Sequence, residues 1–352
     1  MKSSYKKLCT IFILILVPFI AGHYLIWKNV TEELLTAKYD GGDLSRMGYI
    51  LGSKLFRKNQ TDLPRQHIEI EDNKDFRKVD VITLGDSFAN FGGGGRNRFY
   101  QDYIASLNNL EVENVRPFAE LNFLTAVAVL NNNGYFDRVK PKYVIVSSSE
   151  KLCMDRFISP VDLDKNIPLE KLLTYKRNYY AGGHADVKFI NTGNLNYLKY
   201  KLLYHFSPNA VFSNTYKVKL SRDFFSVRNS DILLFYKNDV KSIKGATDIT
   251  IGKLNDNMNR MADMLAKKGI KFYFMPCADK YNMYSDYIVN NKFPKSVFFE
   301  KLRKLPKRYV LIDTKDVLLR EIAAGEKDVY YPDDSHWSWK ASSAIFSYYR
   351  FD

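Results

Sequence analysis

Cysteine and histidine are both scarce in this chain. Three cysteines among 352 residues, Cys9, Cys153 and Cys277, are too few for a disulfide framework, and their separations match no zinc-binding spacing. Five histidines leave few candidates for a general base. The glycine run from Gly92 to Gly95 is not followed by Gly-Lys-Ser/Thr, which argues against a phosphate-cradling loop. There is no internal repeat or low-complexity tract, and the basic residues are scattered with no nucleic-acid motif beside them. Metal, cofactor and nucleic acid are therefore not expected.

What is present is a core and an excess of positive charge. Hydrophobic residues make up 46% and aromatic residues 15% of the chain, enough for a packed α/β domain. A formal net charge of +14 predicts an anionic neighbour, such as an acidic glycan or a lipid surface. Lys2, Lys6 and Lys7 precede an apolar run from Cys9 to Trp27, close to the ~20 residues that a helix needs to cross a bilayer. Basic residues on that flank predict a cytoplasmic N-terminus and an exported remainder. Ala21-Gly22 offers a signal-peptidase alternative, but the run continues past it to Trp27, which favours an uncleaved signal-anchor. The expectation is a single-pass protein of a bacterial plasma (inner) membrane, its larger part periplasmic or extracellular.

Residues 1–28 read as cytoplasmic tip and anchor, 29–77 as a stalk and lead-in containing a helical-looking Thr31 to Leu35, and 78–352 as the main domain. Val79 to Leu84 reads as a buried strand, Leu110 to Val115 as a second and Pro141 to Val146 as a third. Helices are predicted around Phe99 to Leu107 and over Phe118 to Leu130, the latter closed by Asn131-Asn132-Asn133-Gly134. Residues 155–250, rich in Tyr and Lys, read as a helical insertion that includes Leu195 to His205. The α/β rhythm resumes with a helix carrying Leu254, Met258, Met261, Met264 and Leu265, ended at Gly269. Strands at Ile270 to Met275 and Tyr309 to Asp313 and a final helix from Trp339 to Tyr349 complete a parallel five-stranded sheet.

Functional residues in such a sheet gather beyond the C-terminal strand ends. The first strand ends in Gly85-Asp86-Ser87, and a late segment reads Asp333-Asp334-Ser335-His336-Trp337. A serine nucleophile needs a base within hydrogen-bond reach and a carboxylate to orient that base. Ser87, His336 and either Asp334 or Asp333 supply these types. Oxyanion donors are expected from the Ser87 N–H together with a nearby loop, either the Gly92 to Gly95 run or Asn122. Trp337 is a candidate for stacking on a sugar ring, and Lys280 and Tyr284 for binding substrate. Lys280 is alternatively a structural partner of Glu150.

Gly85-Asp86-Ser87-Phe88 with Asp334-Ser335-His336-Trp337 resembles the SGNH/GDSL hydrolase superfamily, and more narrowly its membrane-anchored members related to alginate O-acetyltransferases and the DHHW family. Lys140-Pro141-Lys142 leading to Glu150-Lys151 is similar to a family segment that usually ends in arginine. Pro276, Lys280 and Tyr284, and the run from Tyr330 to Trp337, resemble two further segments. The resemblance implies a three-layer α/β/α sandwich and a Ser-His-Asp site for ester-linked acyl groups. The Asp-x-His spacing selects Asp334; the wider superfamily's Asp-x-x-His selects Asp333. It also sets Cys153 and Cys277 beyond consecutive strands, so that a disulfide between them is a hypothesis to test.

The function expected is a serine-dependent O-acetyltransferase or O-acetylesterase of an envelope polysaccharide or related polymer, working beside a membrane-bound O-acyltransferase. The alternative is a catalytically weak module that binds polymer or scaffolds such a complex.

Overall fold

Runs of β-branched and aromatic residues build the centre of the protein. The computed structural model describes residues 2–31, 42–44, 61–90, 92–177 and 209–351, with 189, 190, 199, 202, 203, 206 and 207 between them. Its strands are β1 (Ile68–Glu69), β2 (Val81–Leu84), β3 (Val112–Val115), β4 (Tyr143–Ser149), β5 (Thr215–Lys219), β6 (Ile232–Tyr236), β7 (Lys271–Cys277) and β8 (Val310–Leu311). Every residue of β2, β3 and β4 is buried, the pattern of parallel strands covered on both faces.

The main sheet has the order β1-β3-β2-β4-β7-β8, and all its pairings are parallel. The chain steps outward from β2 to β3 and then crosses to β4 on the other side of β2. Strand order therefore reverses beside β2, which opens a crevice beyond its C-terminal end.

Helices cover both faces, giving the three layers expected. Tyr100–Asn108, Trp339–Tyr348 and Thr314–Ala323 pack in series on one side; Asp248–Ala266 packs with Phe123–Asn132, Glu150–Phe157 and Phe298–Lys304 on the other. Asp248–Ala266 starts at a capping box between Thr247 and Thr250. It buries Leu254, Met258, Met261 and Leu265 completely, and Gly269 follows at φ +71°.

Several expectations are corrected. The sheet has six strands, not five, because Ile68–Glu69 from the lead-in pairs with β3. The helix predicted from Phe118 begins at Phe123, where the Asn122 side chain accepts the Thr125 N–H as an N-cap. The insertion is not wholly helical: β5 and β6 form an antiparallel hairpin apart from the main sheet. Glu32 to Leu35 lies outside the described residues, as does most of Leu195 to His205. Cys153 and Cys277 are free, buried thiols, so the disulfide hypothesis fails. Cys153 Sγ instead faces the Ser149 carbonyl, and Cys277 Sγ the Met275 carbonyl.

Lys2–Ile26 forms one helix. Ser4–Asn29 is long and apolar enough to cross a membrane, with mean hydropathy 2.3 and none of that span buried. Near its end, Trp27 meets the Phe189 ring edge-on at 5.6 Å, and His23 Nε2 lies 2.7 Å from the Phe189 carbonyl.

Candidate active site

β2 ends at Gly85 for a steric reason. A Cβ there would sit 2.0 Å from Ser147 Oγ and 2.9 Å from Ala89 Cβ, so only glycine lets β2 turn this close to β4. Asp86 then ties the two strand ends together. Its carboxylate accepts the Phe88 N–H at 3.2 Å, the Ser149 N–H at 2.8 Å and the Arg156 guanidinium. Burial opposes the charge on Asp86, but Arg156 and the two N–H donors outweigh it and hold the carboxyl below its usual range.

Ser87 opens the short helix Ser87–Asn90 and is partly exposed. A buried amide network lies beneath it. Asn90 Nδ2 donates to the Gly85 carbonyl at 2.6 Å and the Asp86 carbonyl at 2.8 Å. Asn114 Nδ2 donates to Asn90 Oδ1, and Gln101 Nε2 to Asn114 Oδ1 and the Ala89 carbonyl.

The loop after β8 and its helix brings the second half of the site. His336 Nε2 lies 2.7 Å from Ser87 Oγ, and His336 Nδ1 lies 2.6 Å from Asp334 Oδ1. The same Asp334 oxygen accepts the His336 N–H at 2.9 Å, so one carboxylate fixes both ring and backbone. His336 is 6% exposed. Burial works against the imidazolium, but the Asp334 carboxylate outweighs it and raises His336 above its ordinary value.

Lys280 holds this loop from below. It is fully buried, and its ammonium donates to the carbonyls of Tyr331 (2.7 Å), Pro332 (3.0 Å) and Asp334 (3.0 Å). Burial lowers Lys280 to about 8.

Residues 231–347 match the family model of the SGNH hydrolase-like domain, acetyltransferase AlgX. The chain carries an SGNH hydrolase-like domain. No curated protein matches the chain. The matched segment includes Lys280, Asp334 and His336; Ser87 lies before it.

The other candidates fall elsewhere. Asp333 accepts the Gly42 N–H at 3.1 Å; it is Asp334 that His336 contacts. The Gly92 N–H is committed to the Ser87 carbonyl at 2.7 Å, which removes it as an oxyanion donor. Gly93 lies flat under Tyr331, where a Cβ would come 2.1 Å from the ring. Asn122 is an exposed helix cap. Tyr284 is buried among Phe224, Phe225 and Tyr330, and Trp337, 3% exposed, packs edge-on against Phe88. Lys280, Tyr284 and Trp337 thus present no open surface to a substrate. Nor does Lys280 pair with Glu150, which takes Asn282, Ser296 and the Asp279 N–H instead.

Sequence reading missed Asp43, Arg156 and the Asn90–Gln101–Asn114 network. The network left a signal, since Glu113-Asn114 are polar residues inside an otherwise apolar strand. Gly41-Gly42-Asp43 is a second Gly-Asp step, in a segment with no periodicity to mark it.

Proposed function

We propose that this chain is a serine-dependent acyl-ester enzyme, an O-acetyltransferase or O-acetylesterase of a cell-envelope polysaccharide, held at the membrane by its N-terminal helix. The observation that carries this reading is the continuous contact from Ser87 Oγ to His336 Nε2 and from His336 Nδ1 to Asp334. The similarity to an acetyltransferase domain directs it toward acyl groups on a polysaccharide. The exported side is read from the basic flank Lys2, Lys6 and Lys7.

The chemistry follows from these contacts. His336 Nε2 takes the proton from Ser87 Oγ as the oxygen attacks the ester carbonyl. The tetrahedral oxyanion is met by the Ser87 N–H, at the first position of a helix where no i−4 carbonyl competes. The imidazolium, stabilised by Asp334, returns its proton to the departing alkoxide and leaves an acyl group on Ser87. A sugar hydroxyl or water then loses its proton to His336, attacks the acyl-enzyme and regenerates the serine. Transfer and hydrolysis share every step except the acceptor.

A fluorophosphonate probe applied to the full-length chain in detergent tests this. Labelling of the wild type that disappears in Ser87→Ala, together with loss of turnover of an acetylated polysaccharide, is expected. An unlabelled wild type whose turnover matches Ser87→Ala would sink the enzyme reading.

A further inference from the structure

Three residues from the segment between the membrane helix and the domain lie directly on the His336 loop. The Leu44 N–H donates to the Asp333 carbonyl at 3.2 Å, the Gly42 N–H to Asp333 Oδ2 at 3.1 Å, and the Asp43 N–H to Asp334 Oδ2 at 3.3 Å. In return the Asp43 carboxylate accepts the Ser335 N–H at 2.8 Å and the Ser335 hydroxyl at 2.6 Å. The approach is so close that a Cβ on Gly42 would lie 1.9 Å from the Asp333 carbonyl oxygen. Leu44 is fully buried with Ala210, Ile232 and Leu234, which pins this strap to the β5–β6 hairpin.

Asp43 Oδ2 lies 3.9 Å from His336 Nδ1. Asp43, Asp334 and His336 are close enough together to be compared with a metal site. Their ligand atoms are already engaged: Nδ1 with Asp334, and both Asp43 oxygens with Ser335. Their arrangement serves proton positioning instead. The titratable groups facing Asp43 are Asp334 and His336 on the loop, Tyr236 at the end of β6, Lys151, and Lys280.

We propose that Asp43 is a positioning residue for His336: a second carboxylate that fixes the Asp334–Ser335–His336 turn against Ser87 and faces the imidazole with negative charge. This rests on the reading of His336 as the base for Ser87. Burial, and then the charge of Asp334, raise Asp43 to about 6, so it is ionised above that pH. Its charge adds to that of Asp334 in raising His336. The geometry of the candidate site thereby depends on a residue 291 positions away from Asp334, in the membrane-proximal lead-in.

The test uses the full-length chain in detergent micelles, comparing wild type with Asp43→Asn and Asp43→Glu. Asparagine keeps an acceptor for Ser335 and removes the charge; Asp43→Ser replaces it if the amide fails to fold by circular dichroism. Two readouts are taken: NMR titration of isotope-labelled histidine, with the His336 signal assigned by His336→Gln, and the acid limb of kcat/KM for p-nitrophenyl acetate. Loss of the charge should move both to lower pH by roughly 0.5–1 unit, and Asp43→Glu should restore most of the shift. An unchanged His336 titration in the neutral variant overturns the proposal. If wild type and Ser87→Ala turn over ester equally, the enzyme reading fails instead, and the NMR titration still decides the role of Asp43.

Discussion

Asp86 and Arg156 join the two strand ends that frame Ser87. The guanidinium reaches the Asp86 carboxylate and, at 2.6 Å, Ser148 Oγ, so β2 and β4 are linked immediately beside the serine. Removing Arg156 leaves a buried carboxylate with only backbone donors, and breaking such a pair costs about 3–5 kcal/mol. Arg156→Met should therefore lower the urea midpoint of the full chain substantially. The loss should also bring Asp86 back into titration. In the wild type its depressed carboxyl contributes stability that is present above the ordinary aspartate range and is lost only as pH falls through the lower folded value. The stability gap between wild type and Arg156→Met should therefore be widest above the ordinary aspartate range and narrow as pH falls toward the lower folded value; a gap independent of pH would show that Arg156 does not set the Asp86 charge.

The two neighbouring aspartates should separate cleanly by kinetics. Asp334→Asn removes the acceptor of the His336 Nδ1–H and permits the wrong tautomer, for which losses in kcat of about 10⁴ are the precedent. Asp333→Asn weakens the hydrogen bond from Gly42 and leaves the Asp334–His336 contact in place, so a drop of about tenfold or less is expected. Ester turnover by the two purified variants measures this directly. Equal losses would mean that the His336 loop moves as a unit and that Asp334 holds no special place.

Lys280 makes a different kind of claim, about the support of the site. Three ammonium donors meet three carbonyls of the loop. Lys280→Met keeps the apolar stem but strands those carbonyls, each unmet group costing ~1–3 kcal/mol. Both the thermal midpoint and kcat should fall, with KM for a small ester nearly unchanged because the ammonium is not exposed to substrate. A variant with normal stability and a raised KM would return Lys280 to the substrate-binding role suggested by sequence.

The contrast between Lys280 and Ser87 explains what was legible in the sequence. The buried strands β2, β4 and β7 announced themselves by continuous apolar runs, and the helix Asp248–Ala266 by its periodic Leu and Met. Ser87 and His336 stood out because small polar residues interrupt such runs at strand ends. The edge strand β1 is two residues long, and its pairing with β3 is decided by tertiary contact rather than by local propensity. The β5–β6 hairpin was hidden inside a Tyr- and Lys-rich stretch whose alternation is weak. Lys280 and Tyr284 are polar in sequence yet buried in the fold, because their polar tips end inside the protein. Asp43 was illegible for another reason: its partners lie at the far end of the chain, and no local pattern encodes a contact across that separation.

A second histidine–carboxylate pair, away from Ser87, predicts how stability changes with pH. His67 Nδ1 lies 2.7 Å from Asp102 Oδ1, with Glu69 Oε1 3.8 Å from Nε2, and the His67 side chain is 9% exposed. Burial opposes its charge, but hydrogen bonds to Asp102 and then Glu69 outweigh burial and raise His67 to about 9. A group raised in the folded state stabilises it fully below the unfolded value, near 6.5, and loses that contribution as pH rises through the folded one. The window is therefore about pH 6.5 to 9, and the shift corresponds to an upper bound of roughly 3 kcal/mol at its acid end. Lys280, lowered to about 8, acts in the opposite direction above pH 8, so the wild-type curve alone would mix the two. The difference in urea stability between wild type and His67→Gln isolates the histidine. That difference should be largest near pH 6, shrink through pH 8 and vanish above pH 9; a difference independent of pH would mean that His67 contributes packing and no charge.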